Sequence, residues 1–375
     1  PGLVSLRSDD RGDHWQELPP LDPTSVAEPV ALAADGTVFA ESFQDGWVTD
    51  ILESIDGGDT WTSEPKWLPG MGFETLAVDP NDPGVVYLAR YGTLWASTDG
   101  GETWTFEHIP WEPMGGGDEI RMALEPGVPS TLYIDQGSHI DRTVDRGDSW
   151  TEIRHPTDDE EDSSIAAAPS DPQRLYLNEV FYQGPGGIYV GVTFRSEDGG
   201  ATWTHSSGPG GPLFVDPVDA NHVFSVPSPY LGPNHPRLME STNGGTIWVA
   251  SDHGLPSRVQ SMVIDPSDPS RLFATACGGP HGVFRSTDGA ATWHPVLGSP
   301  AACGALAMSP TDPSQMALDG GRDVFVTTNG GANWTQACRR LPAEADRAWQ
   351  LAFDADGTQL RAATNSGEYL CNLPG

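Results

Sequence analysis

The stretch STDGGETWT, residues 97–105, combines residue types that occur in active sites. Asp99 could act as an acid, the two glycines could expose backbone N–H groups, and Trp104 could stack on a sugar ring. Near-copies of the stretch occur seven more times along the chain of 375 residues. Because a single site needs its residues only once, this recurrence predicts a structural element rather than catalysis.

Each of the eight copies places an Asp or Asn five residues before a tryptophan. The acidic or amide residues are Asp10, Asp56, Asp99, Asp145, Asp198, Asn243, Asp288 and Asn329, and the tryptophans are Trp15, Trp61, Trp104, Trp150, Trp203, Trp248, Trp293 and Trp334. Ser, Thr, Asp and Asn cap tight turns through side-chain hydrogen bonds, and glycine supplies a positive φ. We therefore predict a hairpin turn at each copy, followed by a strand that opens with a tryptophan buried against its neighbour.

The repeated unit has a period of roughly 40–50 residues, which is typical of propellers and solenoids. Upstream of the turn, five units carry an Asp/Pro-rich segment between two short apolar runs, such as AVDPNDPGVVYLA (77–89) and VIDPSDPSRLFA (263–274). Proline cannot continue a β-ladder and Asp favours a turn, so each segment predicts strand, turn, strand. Each unit is then a four-stranded meander, A–B–C–D, which is the blade of a β-propeller.

The motif S/T-x-D/N-x-G-x-x-W resembles the Asp box, or BNR repeat. This repeat is found in sialidases, sortilin-type receptor domains, xyloglucan-active glycosidases and photosystem assembly factors of the Ycf48 type. The resemblance covers nearly the whole chain and implies an all-β propeller of antiparallel four-stranded blades. It implies little about function, because those families do unrelated things.

The blade count follows from the complete units. Seven A–D units span roughly 29–63, 72–107, 119–154, 163–206, 211–252, 258–297 and 304–337. We expect one propeller domain over residues 1–375, in which 1–18 and 349–375 join to form an eighth, closing blade. Both ends offer a C-type strand, so a ring of seven blades is the alternative.

Both repeated turns lie on one rim of a meander ring, because A–B and C–D connections share a rim and B–C and D–A connections share the other. The non-repeating loops, and therefore the ligand site, are expected on the B–C/D–A rim; in the Asp-box glycosidases the site lies opposite the boxes. The candidate ligand-binding residues are Trp67, Arg90, Trp111, Asp135, Glu179, Tyr182, Tyr230, His235 and Arg322. The leading hypothesis is an aromatic and polar patch built by loops 178–187 and 228–236, with Phe181, Tyr182, Tyr230, Asn234 and His235. The alternative for Trp67 and Trp111 is that they pack blade tops together.

Four kinds of chemistry remain open on this rim. A sialidase would need three arginines, a Tyr–Glu pair and an Asp; Arg90, Arg322, Arg339, Tyr182, Glu179 and Asp135 supply the types, but the Arg-Ile-Pro motif of that family is absent. A glycosidase needs two carboxylates about 5–10 Å apart, and the rim offers Asp45, Asp118, Asp135, Glu179 and Asp319. His139, His235 and His281 could converge on a metal, and DDEED (158–162) could hold calcium, although plain loop residues explain both patterns. No cofactor is expected, with calcium as the open exception.

The charge limits the partners. Nineteen Lys and Arg against 53 Asp and Glu give a net charge of −34, which argues against nucleic-acid binding because that needs a basic surface. No apolar run approaches the ~18–20 residues of a membrane span. Four cysteines, Cys277, Cys303, Cys338 and Cys371, lack metal-site spacing and predict two disulfides in an oxidising compartment. A Cys338–Cys371 pair would tie the last strand to the preceding blade.

These observations favour a binding module in a secreted, periplasmic or cell-surface location. It would be a monomer that recognises a glycan or a protein through the B–C/D–A rim. The alternative is a glycoside hydrolase, either sialidase-like or using a carboxylate pair.

Overall fold

The fold comes from a computed structural model. It describes the strands between residues 6 and 54 and, from residue 75 onward, the following segments: 75–79, 82, 84–90, 93–100, 103–107, 121–125, 131–135, 139–154, 160–183, 188–232, 235–277, 282–302, 304–321, 323–338, 348–354, 357–364 and 367–371. All statements below refer to these residues.

The described chain is all-β apart from one turn of 3₁₀ helix, Pro229–Leu231. The N-terminal strands are β1 (Leu6–Arg7) and β2 (Gln16–Glu17), which form a hairpin, and β3 (Val26–Leu32), β4 (Val38–Gln44) and β5 (Trp47–Ser54), which form a three-stranded sheet. Six four-stranded antiparallel sheets follow, here called blades 1 to 6, and their strand order equals the order in the sequence.

The blades have the following bounds. Blade 1 contains β6 (Thr75–Val78), β7 (Val86–Arg90), β8 (Thr93–Ser97) and β9 (Thr105–Glu107); blade 2 contains β10 (Arg121–Leu124), β11 (Leu132–Asp135), β12 (Ile140–Thr143) and β13 (Thr151–Arg154); blade 3 contains β14 (Glu160–Ala168), β15 (Asp171–Gln183), β16 (Ile188–Ser196) and β17 (Thr204–Ser207). Blade 4 contains β18 (Leu213–Val215), β19 (Val223–Ser225), β20 (Met239–Ser241) and β21 (Val249–Ala250); blade 5 contains β22 (Val259–Ile264), β23 (Leu272–Ala276), β24 (Val283–Ser286) and β25 (His294–Pro295); blade 6 contains β26 (Leu306–Met308), β27 (Met316–Asp319), β28 (Val324–Thr327) and β29 (Thr335–Cys338). The C-terminal sheet has three strands, β30 (Ala348–Phe353), β31 (Leu360–Thr364) and β32 (Gly367–Cys371).

Blade 5 illustrates how the sequence forms these strands. At the A–B turn, Asp265 Oδ1 accepts hydrogen bonds from the backbone N–H groups of Ser267 and Asp268, at 2.9 and 3.2 Å. The Asp268 carbonyl accepts the backbone N–H of Arg271 at 2.8 Å, which closes the turn. The prolines of this segment cannot donate to a β-ladder, so the strand ends where the chain reverses. The register from Leu272 onward is uninterrupted through the whole B–C pair, and β23 is buried along its entire length.

The sheets pack face to face around a ring. Each neighbouring pair shares one apolar cluster: blades 1 and 2, 2 and 3, 3 and 4, 4 and 5, 5 and 6, blade 6 and the C-terminal sheet, and the C-terminal sheet and blade 1. The last of these closes the ring, because Ala363 of β31 packs with Leu76, Leu88 and Trp95 of blade 1. The core is therefore a circle of interfaces between blades rather than one central cluster.

Two polar contacts reinforce this closure. Gln350 Oε1 accepts the backbone N–H of Leu76 at 2.8 Å, and Arg361 Nη2 donates to the carbonyl of Gly100 at 2.6 Å. Both link β30 and β31 to blade 1 across more than 260 residues of sequence.

The propeller prediction is confirmed in its coarse form, but the blade count is wrong. The described strands form six four-stranded blades, not eight or seven. The first unit predicted, 29–63, contributes the three strands β3–β5, and the C-terminal sheet also has three. Sequence could not fix the count, because whether a fourth strand pairs depends on long-range register. β1 and β2 pair with each other in the described strands, so the predicted joining of 1–18 with 349–375 into a closing blade stays a prediction.

Candidate functional site

The repeated turns between strands C and D use their side chains to hold their own backbone. Asp99 Oδ1 accepts the backbone N–H of Thr103 and the hydroxyl of Ser97, both at 2.8 Å. Equivalent bonds form at Asp145, Asp198 and Asp288, and Asn243 and Asn329 keep the bond from the backbone N–H four residues later. These carboxylates are occupied within the turn and are not available to a substrate.

These hydrogen bonds also lower the pKa values of the aspartates in the turns. The Thr292 hydroxyl and backbone N–H, with the Ser286 hydroxyl, lower the pKa of Asp288 to about 2. Bonds from Ser149 and from Thr202 likewise lower the pKa values of Asp145 and Asp198. A group held this firmly as an anion is a poor general acid near neutral pH.

The tryptophans of the turns pack between blades. Trp104 and Trp293 are buried, and Trp293 Nε1 donates to the Ser251 carbonyl of the preceding blade at 2.9 Å. The partly buried members pack against the clusters on either side: Trp150, Trp203, Trp248 and Trp334. Asp10, Asp56, Trp15 and Trp61 lie outside the residues whose side chains are described.

The opposite rim, formed by the B–C and D–A connections and here called the loop rim, carries three tyrosines in contact. The ring centroids of Tyr182 and Tyr189 are 5.2 Å apart, and those of Tyr189 and Tyr230 are 5.3 Å apart. Tyr182 is 38% exposed and Tyr230 46% exposed. This tyrosine row therefore runs from blade 3 to blade 4 and presents aromatic surface to solvent.

Local sequence explains the row. Tyr182 and Tyr189 are cross-strand partners on β15 and β16, where aromatic pairs stabilise a hairpin. Tyr230 lies in the 3₁₀ turn, whose start is capped by Ser228 Oγ accepting the Tyr230 backbone N–H at 3.4 Å. The sequence predicted the proximity of Tyr182 and Tyr230 but missed Tyr189, which connects them. Its position opposite Tyr182 across a short turn is the signal that could have found it.

The same rim contains a cavity of about 590 Å³ between blades 4 and 5. Its walls come from the B–C connection of blade 4 and the D–A connection that leads into blade 5; the lining residues are Pro227, Pro229, Gly232, His235, Pro236, Arg237, Ser257 and Arg258. Pro229 precedes Tyr230, so the cavity and the tyrosine row are adjacent. His235 was predicted at this rim, and Arg237 and Arg258 were not.

The candidate carboxylates on the described part of the rim are buried. Asp135 and Glu179 are fully buried side chains between blades 2 and 3, and Asp319 is 3% exposed. Arg154 Nε and Nη2 donate to the two Glu179 carboxylate oxygens at 2.8 Å each, and the same guanidinium lies 3.7 Å from the centre of the Phe194 ring. Glu179 therefore neutralises an arginine inside an interface and does not face a cleft.

Burial raises the pKa of Glu179, hydrogen bonds and charge from Arg154 oppose that rise, and the Asp135 carboxylate adds to it. A raised carboxyl pKa can mark a catalytic acid. Here the group has no exposed surface, so the raised pKa reports its desolvation inside the interface between blades and not an acid that faces a substrate.

A second polar cluster lies on the rim of the repeated turns. His222 Nδ1 is 2.9 Å from Asp216 Oδ2, and its Nε2 is 2.9 Å from Glu240 Oε1. The Ser251 Oγ lies 3.0 Å from Glu240 Oε2 and 2.9 Å from the Ala290 carbonyl oxygen of blade 5, so its single proton is donated to one of these two acceptors. Burial lowers the pKa of His222, but the hydrogen bonds and charges of Glu240 and Asp216 outweigh it and raise the pKa above its usual value.

Several predicted residues cannot be placed. The side chains of Arg90, Trp67, Trp111, Arg322, Asp45, Asp118, Asn234, His281 and Arg339 lie outside the described part of the structure. His139 Nδ1 lies 3.7 Å from Glu152, in blade 2 and away from His235 in blade 4. Among the described residues no group of three or more His, Cys, Asp or Glu side chains is arranged to hold a metal.

Two predicted loops are partly strand. The B–C loop predicted at 178–187 begins only after β15, which runs to Gln183. Val180, Phe181 and Tyr182 are residue types enriched in strands, which favours a continued hairpin over a loop. The acidic run 158–162 overlaps the start of β14 at Glu160. Neither Cys277 nor Cys371 is a free thiol. The side chains of Cys303 and Cys338 lie outside the described part of the structure, so the disulfide pairing stays a prediction.

Among curated proteins, the chain is similar to xyloglucanases. No family model matches the chain. A xyloglucanase of Acetivibrio thermocellus is 26% identical over 327 residues, covering 69% of this chain and 37% of that enzyme. A probable oligoxyloglucan-reducing end-specific xyloglucanase of Neosartorya fischeri is 28% identical over 237 residues, covering 55% of this chain and 28% of that enzyme. The chain thus spans about a third of the length of these curated relatives.

Solved structures share the fold. The structure of YCF48 bound to a D1 peptide matches with a TM-score of 0.60 at 17% identity, covering 83% of this chain and 94% of that one. YCF48 from Cyanidioschyzon merolae matches with a TM-score of 0.54 at 14% identity, covering 83% and 98%. At such identities the likeness shows the propeller fold alone. In the described residues, no helix has the length and apolarity that a membrane crossing requires.

Proposed function

We propose that this chain is the propeller portion of a glycoside hydrolase that acts on a xyloglucan-type β-glucan, and that the tyrosine row holds the glycan on the loop rim. The observation that carries the proposal is the similarity to a xyloglucanase over 327 residues. A polymeric substrate of this kind lies outside the cell, which supports secretion or display at the cell surface.

The tyrosine row suits a sugar chain. Aromatic rings present flat apolar faces with a polar edge, and the apolar C–H faces of a glucan stack on such rings. Tyr182 and Tyr189 meet edge to face at 62°, and Tyr189 and Tyr230 are tilted by 34°, so the row offers differently oriented ring faces. Tyr182 and Tyr230 are exposed and Tyr189 is half-buried, so a glycan would contact chiefly the two outer rings.

The test combines binding and hydrolysis. The full chain is titrated with xyloglucan oligosaccharides by calorimetry, and release of reducing ends from polymeric xyloglucan is measured in parallel. We expect Tyr182→Ala and Tyr230→Ala each to weaken binding about tenfold, because a lost aromatic contact is worth about 0.5–1.5 kcal/mol beyond its buried area. Ile247→Ala is the matched control, since Ile247 is 63% exposed but lies on the rim of the repeated turns. If both tyrosine variants bind as tightly as the control, the tyrosine row is not the glycan site.

A second candidate function is glycan binding without cleavage. It is favoured by the burial of Asp135, Glu179 and Asp319, which leaves these candidate carboxylates without access to a substrate. Under this second candidate function, the chain would bind xyloglucan but release no more reducing ends than a boiled sample of the same protein. Hydrolysis by the purified chain would refute it, whereas binding without hydrolysis would refute cleavage by this chain on its own.

Two further expectations belong to the proposal. We expect a monomer, which light scattering on the purified chain checks. We also expect binding and hydrolysis to be unchanged by EDTA; a loss restored by calcium would show a metal requirement, for which the acidic run 158–162 would be the first segment to mutate.

A further inference from the structure

The cavity between blades 4 and 5 has a charge opposite to that of the molecule. The protein carries a net charge of −34, yet the cavity is lined by Arg237, Arg258 and His235, and its described lining contains no carboxylate. We call it the arginine cavity. Two guanidinium groups at one concave site are the arrangement that recognises carboxylate or phosphate oxygens in a planar, bidentate manner.

Asp252 is an acidic group beside the cavity. Asp252 Oδ2 accepts the Arg237 backbone N–H at 2.8 Å and lies 3.5 Å from Arg237 Nη1. The Arg237 side chain is 47% exposed, so this ion pair is solvent-screened and worth little. The contact holds the backbone of Arg237 in place, and the side chain lines the cavity with about half of its surface exposed.

Buried residues and hydrogen bonds hold the walls of the arginine cavity in place. Val226 and Leu238, which bracket the B–C connection of blade 4, and Leu255, in the D–A connection, are buried in one apolar cluster. The Ser228 backbone N–H donates to the Pro209 carbonyl at 2.9 Å, and the Ser257 hydroxyl donates to the Cys277 carbonyl. Three prolines in the lining restrict the backbone further. A site held this way pays little ordering entropy on binding.

The overall negative charge does not prevent an anion from binding here. At physiological ionic strength the screening length is about 8 Å, so a group in contact with the guanidinium ions interacts with them more strongly than with distant carboxylates. A volume of about 590 Å³ is within the usual range for small-ligand sites, and it exceeds what a single ion needs. The adjoining Tyr230 adds an aromatic face suited to a sugar ring.

We propose that the arginine cavity binds the carboxylate of a hexuronic acid unit, so that the loop rim recognises a glycan carrying acidic sugars and not only a neutral glucan. The inference rests on the proposed glycan-binding function and adds a substrate feature to it. The uronate carboxylate pairs with Arg237 and Arg258 while the neighbouring neutral units extend along the tyrosine row.

The test compares ligands with and without a free carboxylate. Trigalacturonate and its methyl ester, and a xylo-oligosaccharide with and without a glucuronic acid branch, are titrated into the full chain by calorimetry. At least one acidic probe is expected to bind about tenfold more tightly than its neutral counterpart, and the difference should shrink as salt is raised. Equal affinities within both pairs would overturn the proposal.

The variants locate the site. Arg237→Gln and Arg258→Gln are each expected to remove most of the preference for the acidic probe, and Arg258→Lys to retain part of it, because a lysine keeps the charge but not the planar fork. Arg285→Gln is the control, since Arg285 is an exposed arginine of β24 outside the cavity lining. Melting temperatures confirm folding, and Arg237→Gln, at an exposed side chain, is the variant on which the conclusion depends. An undiminished preference in Arg237→Gln would refute the assignment.

Two outcomes separate this inference from the proposed function. Binding of neutral xyloglucan oligosaccharides without any acidic preference would overturn the arginine cavity as a uronate site and leave the glycan proposal standing. Absence of binding to every glycan would overturn the proposed function itself. Full competition of the acidic probe by an equal concentration of inorganic phosphate would show a general anion site and would refute the sugar assignment.

Discussion

Replacing Arg361 should weaken the closure of the propeller ring. Its guanidinium is 1% exposed and is the largest fully buried side chain of the described structure. Nη2 donates to the Gly100 carbonyl in the C–D turn of blade 1 at 2.6 Å. Arg361→Met keeps most of the aliphatic stem and removes the donors, including the longer bond from Nη2 to Gln359 Oε1 at 3.4 Å, so the variant tests the polar contacts with little change in packing.

The magnitude follows from that contact. A hydrogen bond to a charged group is worth about 1.5–3 kcal/mol, so we expect Arg361→Met to lower the free energy of unfolding by about 2 kcal/mol. The unfolding entropy is about 2.1 cal/mol/K per residue, or roughly 0.6 kcal/mol/K for about 300 ring residues, so Tm should fall by about 3 °C. Differential scanning calorimetry measures this, provided that the ring unfolds in one transition.

Arg195→Met is the matched control. Arg195 Nη1 makes the corresponding contact between blades 3 and 4, to the Gly244 carbonyl, but at 3.5 Å and with 26% of the side chain exposed. This contact is at the long limit of a hydrogen bond, so its loss should shift Tm by less than about 1 °C. Equal shifts in the two variants, or no shift in Arg361→Met, would refute the view that this contact holds the ring closed.

Three further predictions concern ionisable groups. Arg154→Met leaves Glu179 charged and buried without its partner, which should lower the free energy of unfolding by about 3–5 kcal/mol at pH 7. Because burial raises the pKa of Glu179, urea titrations should show that stability returns as the pH falls and the carboxyl is protonated. A loss of stability that is independent of pH would contradict this. His222→Gln should remove a stabilisation that is fully present below the usual pKa of 6.5 and is lost as the pH rises through the raised folded-state pKa, so the Tm gap to the unchanged protein should narrow toward alkaline pH; a constant gap from pH 5 to 9 would rule it out. Asp288→Ala should lower Tm at pH 7. The difference in Tm between the variant and the unchanged protein should disappear as the pH falls from 3.8 toward the folded-state pKa of about 2. Glycan affinity should stay unchanged, and a folded variant that no longer binds glycan would show that the turn belongs to the binding site.

The local structure of the turns could be predicted from the sequence. Asp99 and its equivalents recur with the same neighbours, and their hydrogen bonds are made within a few residues, so local chemistry suffices. The rim that carries the non-repeating loops could also be predicted, because a meander fixes which connections share an edge. That placed Tyr182 and Tyr230 near each other, and the structure joins them through Tyr189.

Contacts between blades could not be predicted. Glu179 and Tyr182 lie three residues apart on the same strand, and only the packing of blade 2 against blade 3 decides that the first is buried and the second exposed. The same limit explains the missed arginines: Arg237 and Arg258 belong to different blades, and nothing in their separate sequences shows that they line one cavity. The blade count failed for a related reason, since the partner of β30 and β31 is blade 1, more than 260 residues earlier.

The contact between blade 1 and the C-terminal sheet, which closes the ring, can form only late in synthesis of these residues. Leu76 and Gln350 are separated by 274 residues, and at about 5–20 residues per second a ribosome takes roughly a quarter of a minute to a minute to cover that distance. During this interval the flank of blade 1, with Leu76, Leu88 and Trp95, has no β31 to cover it. The growing chain therefore has this apolar flank without its β30–β31 partner until that sheet is synthesised, and a chaperone or a second nascent chain could bind there in the meantime.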